Sequence, residues 1–203
     1  MENFIVFGRG ELCIFTLKFL LGKNKNVIFV PDIPEPSWQD SVVKYCEENK
    51  IKMILFDQIK NSVEENSIGI SIYYRKIFKS ELINSFKYFV NLHNGPLPKY
   101  RGVNPINWAL KNNEKQHGVT LHLIDEGIDT GDILDQEIFS ISPDLEVIEV
   151  YKLCIEAGKK IINRSILNIE KLKPIKQDHN KALYYSNKDF DKLGDRKNFR
   201  RSS

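Results

Sequence analysis

Short apolar runs that alternate with helical patterns constrain the fold of this chain most. The runs cover residues 4–7, 27–30, 53–56, 68–72 and 88–90. The segment after the first run has a helical pattern, with apolar residues on one side at Leu12, Phe15, Phe19 and Leu20. Strands that alternate with helices in this way predict parallel βαβ units.

Prolines interrupt the chain after the second run, and a second helix is expected beyond them. Ser37 is the predicted cap of this helix, which carries Trp38 and Val42. Both tryptophans, Trp38 and Trp108, are expected to pack against the core.

The later part of the chain has a different pattern. Residues 119–124 alternate like an antiparallel strand, 133–141 suggest another strand, and 145–171 suggest a long helix. We therefore predict an α/β fold: a Rossmann-like, mostly parallel sheet with helices on both faces and added antiparallel strands. The expected domains are a catalytic domain, 1–175, and a polar C-terminal extension, 176–203.

Composition leaves room for one domain and excludes several classes of site. The net charge of +3 over 203 residues does not demand a nucleic-acid partner, although basic residues gather near the C-terminus. Three widely spaced cysteines argue against a disulfide framework, and no metal site is expected. No long apolar span or basic leader is visible, so we expect a cytoplasmic protein that does not bind membranes.

The most informative motif begins where the fifth apolar run ends. Asn91 and His93 follow that run, two residues apart. Side chains two apart on extended backbone point to the same side, so an amide and an imidazole face one spot. A loop rich in glycine and proline follows, the usual place for a site in an open α/β sheet. Asp129 stands in a second glycine-rich loop, able to bring a carboxylate to the same spot.

An amide, an imidazole and a carboxylate together suit acyl transfer. The amide stabilises an oxyanion, the imidazole handles a proton and the carboxylate tunes the imidazole. Structural roles are the alternatives, because Asn favours turns and a lone histidine is usually only hydrogen-bonded. Composition alone does not select Asp129 among the four acids from Asp125 to Asp132.

These residues also carry a resemblance. Asn91-x-His93, a proline-containing loop that ends in Arg101-Gly102, and the run at 125–133 (Asp-Glu-Gly-Ile-Asp-Thr-Gly-Asp-Ile) resemble the N10-formyltetrahydrofolate-dependent formyltransferases. That family includes glycinamide ribonucleotide, methionyl-tRNA and nucleotide-sugar formyltransferases. The resemblance implies formyltetrahydrofolate as co-substrate, no metal, and Asn91, His93 and Asp129 as catalytic residues. It selects Asp129 because that residue precedes Thr-Gly-Asp.

The resemblance also implies a folate pocket, and residue types suggest a set of acceptor contacts. The expected folate contacts are Tyr73, Tyr74, Leu97, Pro98, Gly127, Thr130 and Asp132. The expected acceptor contacts are Arg9, Lys99, Tyr100 and Arg101. Solvated loop positions are the alternative for the two folate tyrosines. The alternative for Arg101 is that it only braces its loop. The alternative for Arg9 is that it belongs to a tight turn without a binding role. The run Gly8-Arg9-Gly10 lacks the third glycine of a dinucleotide-binding fingerprint, so it does not indicate dinucleotide binding.

A nucleotide-linked amino sugar is the expected acceptor, with dTDP-4-amino-4,6-dideoxyhexose as the preferred version. The small size of the chain, the loop from Asn91 to Pro96, and the pairs Tyr73-Tyr74 and Tyr184-Tyr185 favour it. Such sugars feed O-antigen or other lipopolysaccharide glycans. Glycinamide ribonucleotide is the alternative acceptor, and a non-catalytic folate- or nucleotide-binding protein is the alternative class. A homodimer is left open.

Two further histidines are given ordinary roles at this point. His122 lies in a predicted strand and is expected to be structural, and His117 is expected at the surface.

Overall fold

Five parallel strands form the sheet of the first part of the chain. The structure is a computed structural model that describes residues 3–142 and 144–193. The chain forms two compact units, Met1–Leu92 and His93–Ser203. In the first unit the strand order is β3-β2-β1-β4-β5. The strands are β1 Asn3–Gly8, β2 Asn26–Pro31, β3 Lys52–Met53, β4 Ile68–Ile72 and β5 Tyr88–His93, whose last residue opens the second unit.

The central strand of this sheet, β1, is buried along its whole length. Residues 4–7 of β1 have no solvent exposure, as expected of parallel strands between helix layers. Aromatic rings pack at one end of the sheet: the ring of Phe89 lies 4.5 Å from that of Phe78 and 5.3 Å from that of Phe7. Gly69 leaves room for the ring of Phe89, since a Cβ at residue 69 would lie only 2.5 Å from that ring.

Three helices belong to the first unit: α1 Glu11–Gly22, α2 Val42–Glu48 and α3 Ser80–Ile83. A 3₁₀ helix, Phe56–Asn61, follows β3, so the expected strand at 53–56 is shorter than predicted. In α1 the buried stripe includes Cys13, Thr16 and Leu17, whereas Phe15 and Phe19 are only half-buried.

The predicted cap of α2 is wrong. The helix begins after Ser41, whose hydroxyl accepts a hydrogen bond from the Lys44 amide at 3.1 Å. The carboxylate of Glu35 also accepts from the Val42 amide at 2.8 Å, where negative charge favours a helix start. Trp38 therefore precedes the helix, and it is 44% exposed rather than part of the core. The expected burial of Trp108 is confirmed.

The second unit is built on an antiparallel pair of strands. Its elements are β6 Arg101–Gly102, α4 Pro105–Lys111, β7 Gln116–Leu123, β8 Ile133–Ser140, α5 Val147–Ser165 and β9 Tyr184–Tyr185, with 3₁₀ helices at Ile166–Lys171, His179–Lys181 and Asn187–Leu193. Strands β7 and β8 pair antiparallel, with a bulge between Leu121 and His122. The amphipathic α5 packs on both strands. The predicted fold class, a mostly parallel sheet with added antiparallel strands, is confirmed.

The segment after α5 returns to the middle of the second unit. Ile175 forms an antiparallel bridge with Ile133, and β9 pairs in parallel with β6. Gly102 makes this pairing feasible: its φ is +89°, and a Cβ there would lie 2.0 Å from the Tyr185 carbonyl oxygen. The basic residues expected near the C-terminus, beyond residue 193, lie outside the described residues. No helix among the described residues is long and apolar enough to span a membrane.

Candidate active site

Strand β5 ends with the predicted pair of polar side chains. Asn91 is half-buried and His93 is 7% exposed. The two residues are separated by Leu92 within one strand, so their side chains project to the same face. Asn91 pairs in register with Ser71 of β4.

Both ring nitrogens of His93 face oxygen atoms. Nε2 lies 2.7 Å from the carbonyl oxygen of Tyr100, which only accepts, so Nε2 carries a proton. Nδ1 lies 3.5 Å from Oδ2 of Asp129. A second proton, on Nδ1, would therefore point at a carboxylate, and this arrangement suits the imidazolium form of the ring.

Asp129 lies between two histidines. Its other oxygen, Oδ1, is 3.4 Å from Nε2 of His122, whose Nδ1 donates to the Leu123 carbonyl at 2.7 Å. The backbone amide of Gly102 donates to Asp129 Oδ2 at 2.8 Å. Burial alone would raise the pKa of Asp129, but the charge of His93, the contact with His122 and the Gly102 amide outweigh it and hold that pKa well below its usual range.

The backbone of Asp129 adopts a left-handed conformation, with φ of +54°. Such a conformation is costly for a residue with a side chain, although aspartate tolerates it better than most. Asp125 organises the surrounding loop, because its Oδ1 accepts from the Gly127 amide at 3.1 Å and from the Thr130 hydroxyl at 2.6 Å. Asp125 is thus occupied within the loop, while Asp129 is the acid beside His93.

His122 is the residue that sequence reasoning undervalued. The bulge at Leu121 and His122 changes the pairing of β7 with β8 at this point, and bulges often re-aim a side chain near a site. The expected structural role overlooks its contact with Asp129. The expected surface position of His117 is wrong, because that residue is fully buried and its Nε2 lies 2.9 Å from the Asn94 carbonyl.

The residues expected to contact the acceptor have other partners in the loop. Lys99 and Tyr100 both contact Oε1 of Glu114, at 3.3 and 2.7 Å. Tyr100 is 1% exposed, which weighs against a substrate contact through its side chain. Arg101 donates to Gln177, and this contact favours the bracing alternative.

The expected folate residues divide between two environments. Leu97 is buried, and its amide donates to Thr120 at 3.1 Å; Pro98 is half-buried beside it. Tyr74 stacks on Phe78 at 5.5 Å, and burial raises its pKa to about 12. Tyr73 is half-buried with φ of +57°.

The remaining members of that set lie in the Asp129 loop. The backbone carbonyl of Asp132 accepts from the Leu123 amide at 2.9 Å, and Gly127 approaches Thr130 so closely that a Cβ would lie 2.0 Å from its hydroxyl oxygen. These contacts shape the loop.

Arg9 lies beside a buried carboxylate of the first unit. Its Nε is 3.7 Å from Oδ2 of Asp32, and Arg75 Nε donates to the same oxygen at 2.9 Å. Two guanidinium groups thus share one carboxylate. Within residues 3–142 and 144–193, no group of three or more histidine, cysteine or acidic residues is arranged to hold a metal ion.

The second tyrosine pair lies on the segment that pairs with β6. Tyr185 stacks against Trp108 at 4.1 Å and against Tyr100 at 5.9 Å, so its ring is part of an aromatic stack. Tyr184 is 53% exposed.

Comparison with known proteins adds relatives of defined activity. A methionyl-tRNA formyltransferase of Caldicellulosiruptor saccharolyticus is 39% identical over 79% of this chain and 56% of that protein. The chain spans between about half and two thirds of the length of the curated relatives that it matches first.

Solved structures include two similar sugar formyltransferases. WlaRD, a sugar 3N-formyl transferase solved in the presence of dTDP and 5-N-formyl-THF, has a TM-score of 0.81 and 32% identity, over 93% of this chain and 71% of that one. The Helicobacter canadensis N-formyltransferase, solved with folinic acid and dTDP-3-aminofucose, has a TM-score of 0.83 and 30% identity, over 93% and 72%. The formyltransferase fold implied by the sequence motif is confirmed.

A family model described as formyl transferase matches residues 39–166, which include β5, the loop after it and the whole Asp129 loop. The match thus contains Asn91, His93 and Asp129 and covers more than half of the chain. The chain belongs to the formyl transferase family.

Proposed function

We propose that this chain transfers a formyl group from N10-formyltetrahydrofolate to the primary amine of a nucleotide-linked amino sugar. The observation that supports this most is the pair formed by His93 Nδ1 and Asp129 Oδ2, with Asn91 two residues earlier on the same strand. Family membership supplies the reaction class, and this group of side chains supplies the chemistry.

The surroundings of Asp129 suit a formylated folate. When bound, that co-substrate supplies the formyl group and a nitrogen leaving group. Ile128, next to Asp129, is 42% exposed and offers apolar surface to a flat ring. The two solved neighbours at 30% identity or more carry folates in their names, which supports the same co-substrate here. The folate contacts predicted from sequence remain part of this proposal.

His93 directs the proton on Nε2 at the Tyr100 carbonyl, and a second proton on Nδ1 would face Asp129. The Asn91 amide would donate to the oxyanion that forms when a neutral amine attacks the formyl carbon, and the positive charge of the doubly protonated His93 ring would stabilise that oxyanion. The new carbon–nitrogen bond forms together with the oxyanion, the bond to the departing nitrogen breaks when the oxyanion collapses, and the proton lost by the amine ends on the departing nitrogen. Ionised Asp129 balances the charge of His93 while that ring holds its second proton.

A nucleotide sugar is the acceptor that we favour. Arg9 and Arg75 lie together at the carboxylate of Asp32, and guanidinium groups suit the recognition of a diphosphate. Tyr184 offers an exposed ring for stacking, in contrast to Tyr185. One of the two similar neighbours is named as a sugar 3N-formyl transferase, and the other was solved with dTDP-3-aminofucose. A dTDP-3-amino sugar is therefore an alternative to the predicted dTDP-4-amino sugar.

Methionyl-tRNA is the second candidate acceptor. The first two curated relatives, at 39% and 29% identity, are named as methionyl-tRNA formyltransferases. Under that alternative the expected absence of a nucleic-acid partner would fail.

An acceptor comparison tests the proposal. The protein is incubated with N10-formyltetrahydrofolate and, in turn, dTDP-3-amino and dTDP-4-amino dideoxyhexoses, methionyl-tRNA and glycinamide ribonucleotide, and products are identified by mass spectrometry. We expect formylation of a dTDP-amino sugar. Formylation of methionyl-tRNA or glycinamide ribonucleotide alone would contradict the acceptor, and no formylation of any of them would contradict formyl transfer to these amines.

A further inference from the structure

A single buried amide joins the two loops that hold His93 and Asp129. Gln177 is 6% exposed and lies on the segment between Ile175 and β9. Its Oε1 accepts from Arg101 Nε at 3.0 Å and from Arg101 Nη2 at 2.7 Å. Its Nε2 donates to the backbone carbonyls of Asp129 at 2.9 Å and Gly131 at 2.7 Å. Both donors and both acceptor positions of the amide are thereby used.

Each end of this connection acts on the candidate catalytic pair. Arg101 stands between Tyr100, whose carbonyl holds His93, and Gly102, whose amide donates to the Asp129 carboxylate. At the other end, Gln177 holds the carbonyl of Asp129 itself. Gln177 therefore links the two loops, in addition to the direct donation from the Gly102 amide to the Asp129 carboxylate.

The backbone of Asp129 needs such support. Its φ of +54° is disfavoured for a residue with a side chain and persists only where surrounding contacts impose it. The donation from Gln177 to the Asp129 carbonyl is one of those contacts. Arg101, itself 6% exposed, contacts Gln177 and the His179 ring through its guanidinium group, so the amide also anchors a buried guanidinium.

We propose that Gln177 is a positioning residue, which sets the Asp129 carboxylate against His93 from outside the motif that carries the two. The proposal rests on the proposed function only for its kinetic consequence, because the geometric consequence is measurable without turnover. Gln177 touches no reacting atom in this account and acts through Asp129.

Gln177→Met keeps the length of the side chain and removes its hydrogen bonds. Gln116→Met makes the same change at an exposed position of β7 and is the matched control. We expect Gln177→Met to lower kcat at least tenfold, with KM for formyltetrahydrofolate changed less than twofold, and the control to leave both unchanged. In an Asp129→Asn background we expect Gln177→Met to lower kcat by less than a further twofold, since the effects of substitutions at residues that act through one another are not additive. An equal loss in both backgrounds would overturn the proposal.

The Nδ1 nitrogen resonance of His93, followed by NMR, gives a readout independent of activity. Gln177→Met is expected to move it in the same direction as Asp129→Asn does. A folded Gln177→Met protein with the wild-type resonance would overturn the positioning role, whereas a moved resonance in a protein without formyl transfer would contradict only the proposed function.

A second variant covers the outcome in which Gln177→Met fails to fold. Gln177→Glu keeps an acceptor for Arg101 and removes the donors to Asp129 and Gly131. It is therefore expected to lower kcat and to move the His93 resonance, as Gln177→Met does. Failure of both variants to fold would overturn the proposal in favour of a folding role.

Discussion

At the scale of single residues, the candidate site combines a predictable part and an unpredictable one. The pair Asn91 and His93 follows from strand alternation, which holds for any extended segment. The contacts of His122 and Gln177 do not follow from local sequence. His122 depends on a bulge between two strands, and Gln177 reaches the Asp129 carbonyl from 48 residues away. Only the folded chain brings these groups together.

The burial of His117 makes the stability of the folded chain depend on pH. Burial lowers its pKa to about 4, and its Nδ1 has no hydrogen-bond partner among the described atoms. The unfolded chain takes up a proton near the ordinary pKa of about 6.5, and the folded one only near 4. Between these values the unfolded state binds more protons, so stability falls as the pH is lowered.

We predict that this residue contributes a loss on the order of 3 kcal/mol in free energy of unfolding between pH 7 and pH 4. His117→Gln is expected to flatten this part of the pH dependence, since it keeps a donor for the Asn94 carbonyl without a titrating ring. Urea unfolding at a series of pH values measures it. An unchanged pH slope in a folded His117→Gln protein would show that the ring titrates freely.

At the scale of elements, the βαβ order and the antiparallel pair were predictable from periodicity, and the starts of helices were not. Ser37 and Ser41 both precede apolar positions of the same helix. The choice between them depends on Glu35, which accepts from the Val42 amide and from the Ser41 hydroxyl. This contact spans a proline-interrupted segment, so periodicity does not report it.

The cap assignment leads to a stability prediction. Ser41→Ala is expected to lower the free energy of unfolding by about 1 kcal/mol, because the Lys44 amide loses its acceptor at the helix start. Ser37→Ala, at an exposed position, is the matched control and is expected to change stability by less than about 0.5 kcal/mol. Chemical denaturation of both variants tests this, and a larger effect at Ser37 would restore the cap predicted from sequence.

At the scale of the whole molecule, family and reaction class follow from the motif, whereas the acceptor does not. Under our proposal, the loops around His93 and Asp129 act on the formyl group and a proton, which all the acceptors considered share. The acceptor contacts that we propose, Arg9, Arg75 and Tyr184, are spread over the chain, and their types are common and their spacing carries no pattern. The division of the chain into 1–175 and 176–203 remains a prediction.

The central claim is that Asn91, His93 and Asp129 carry out formyl transfer. The most direct test is the rate of tetrahydrofolate release in the presence of the preferred acceptor, measured for wild type, Asn91→Ala and His93→Ala. We predict that each variant lowers kcat about a hundredfold or more while remaining folded, the usual loss for an oxyanion donor or an acid–base group. Turnover close to wild type in both folded variants would contradict the account.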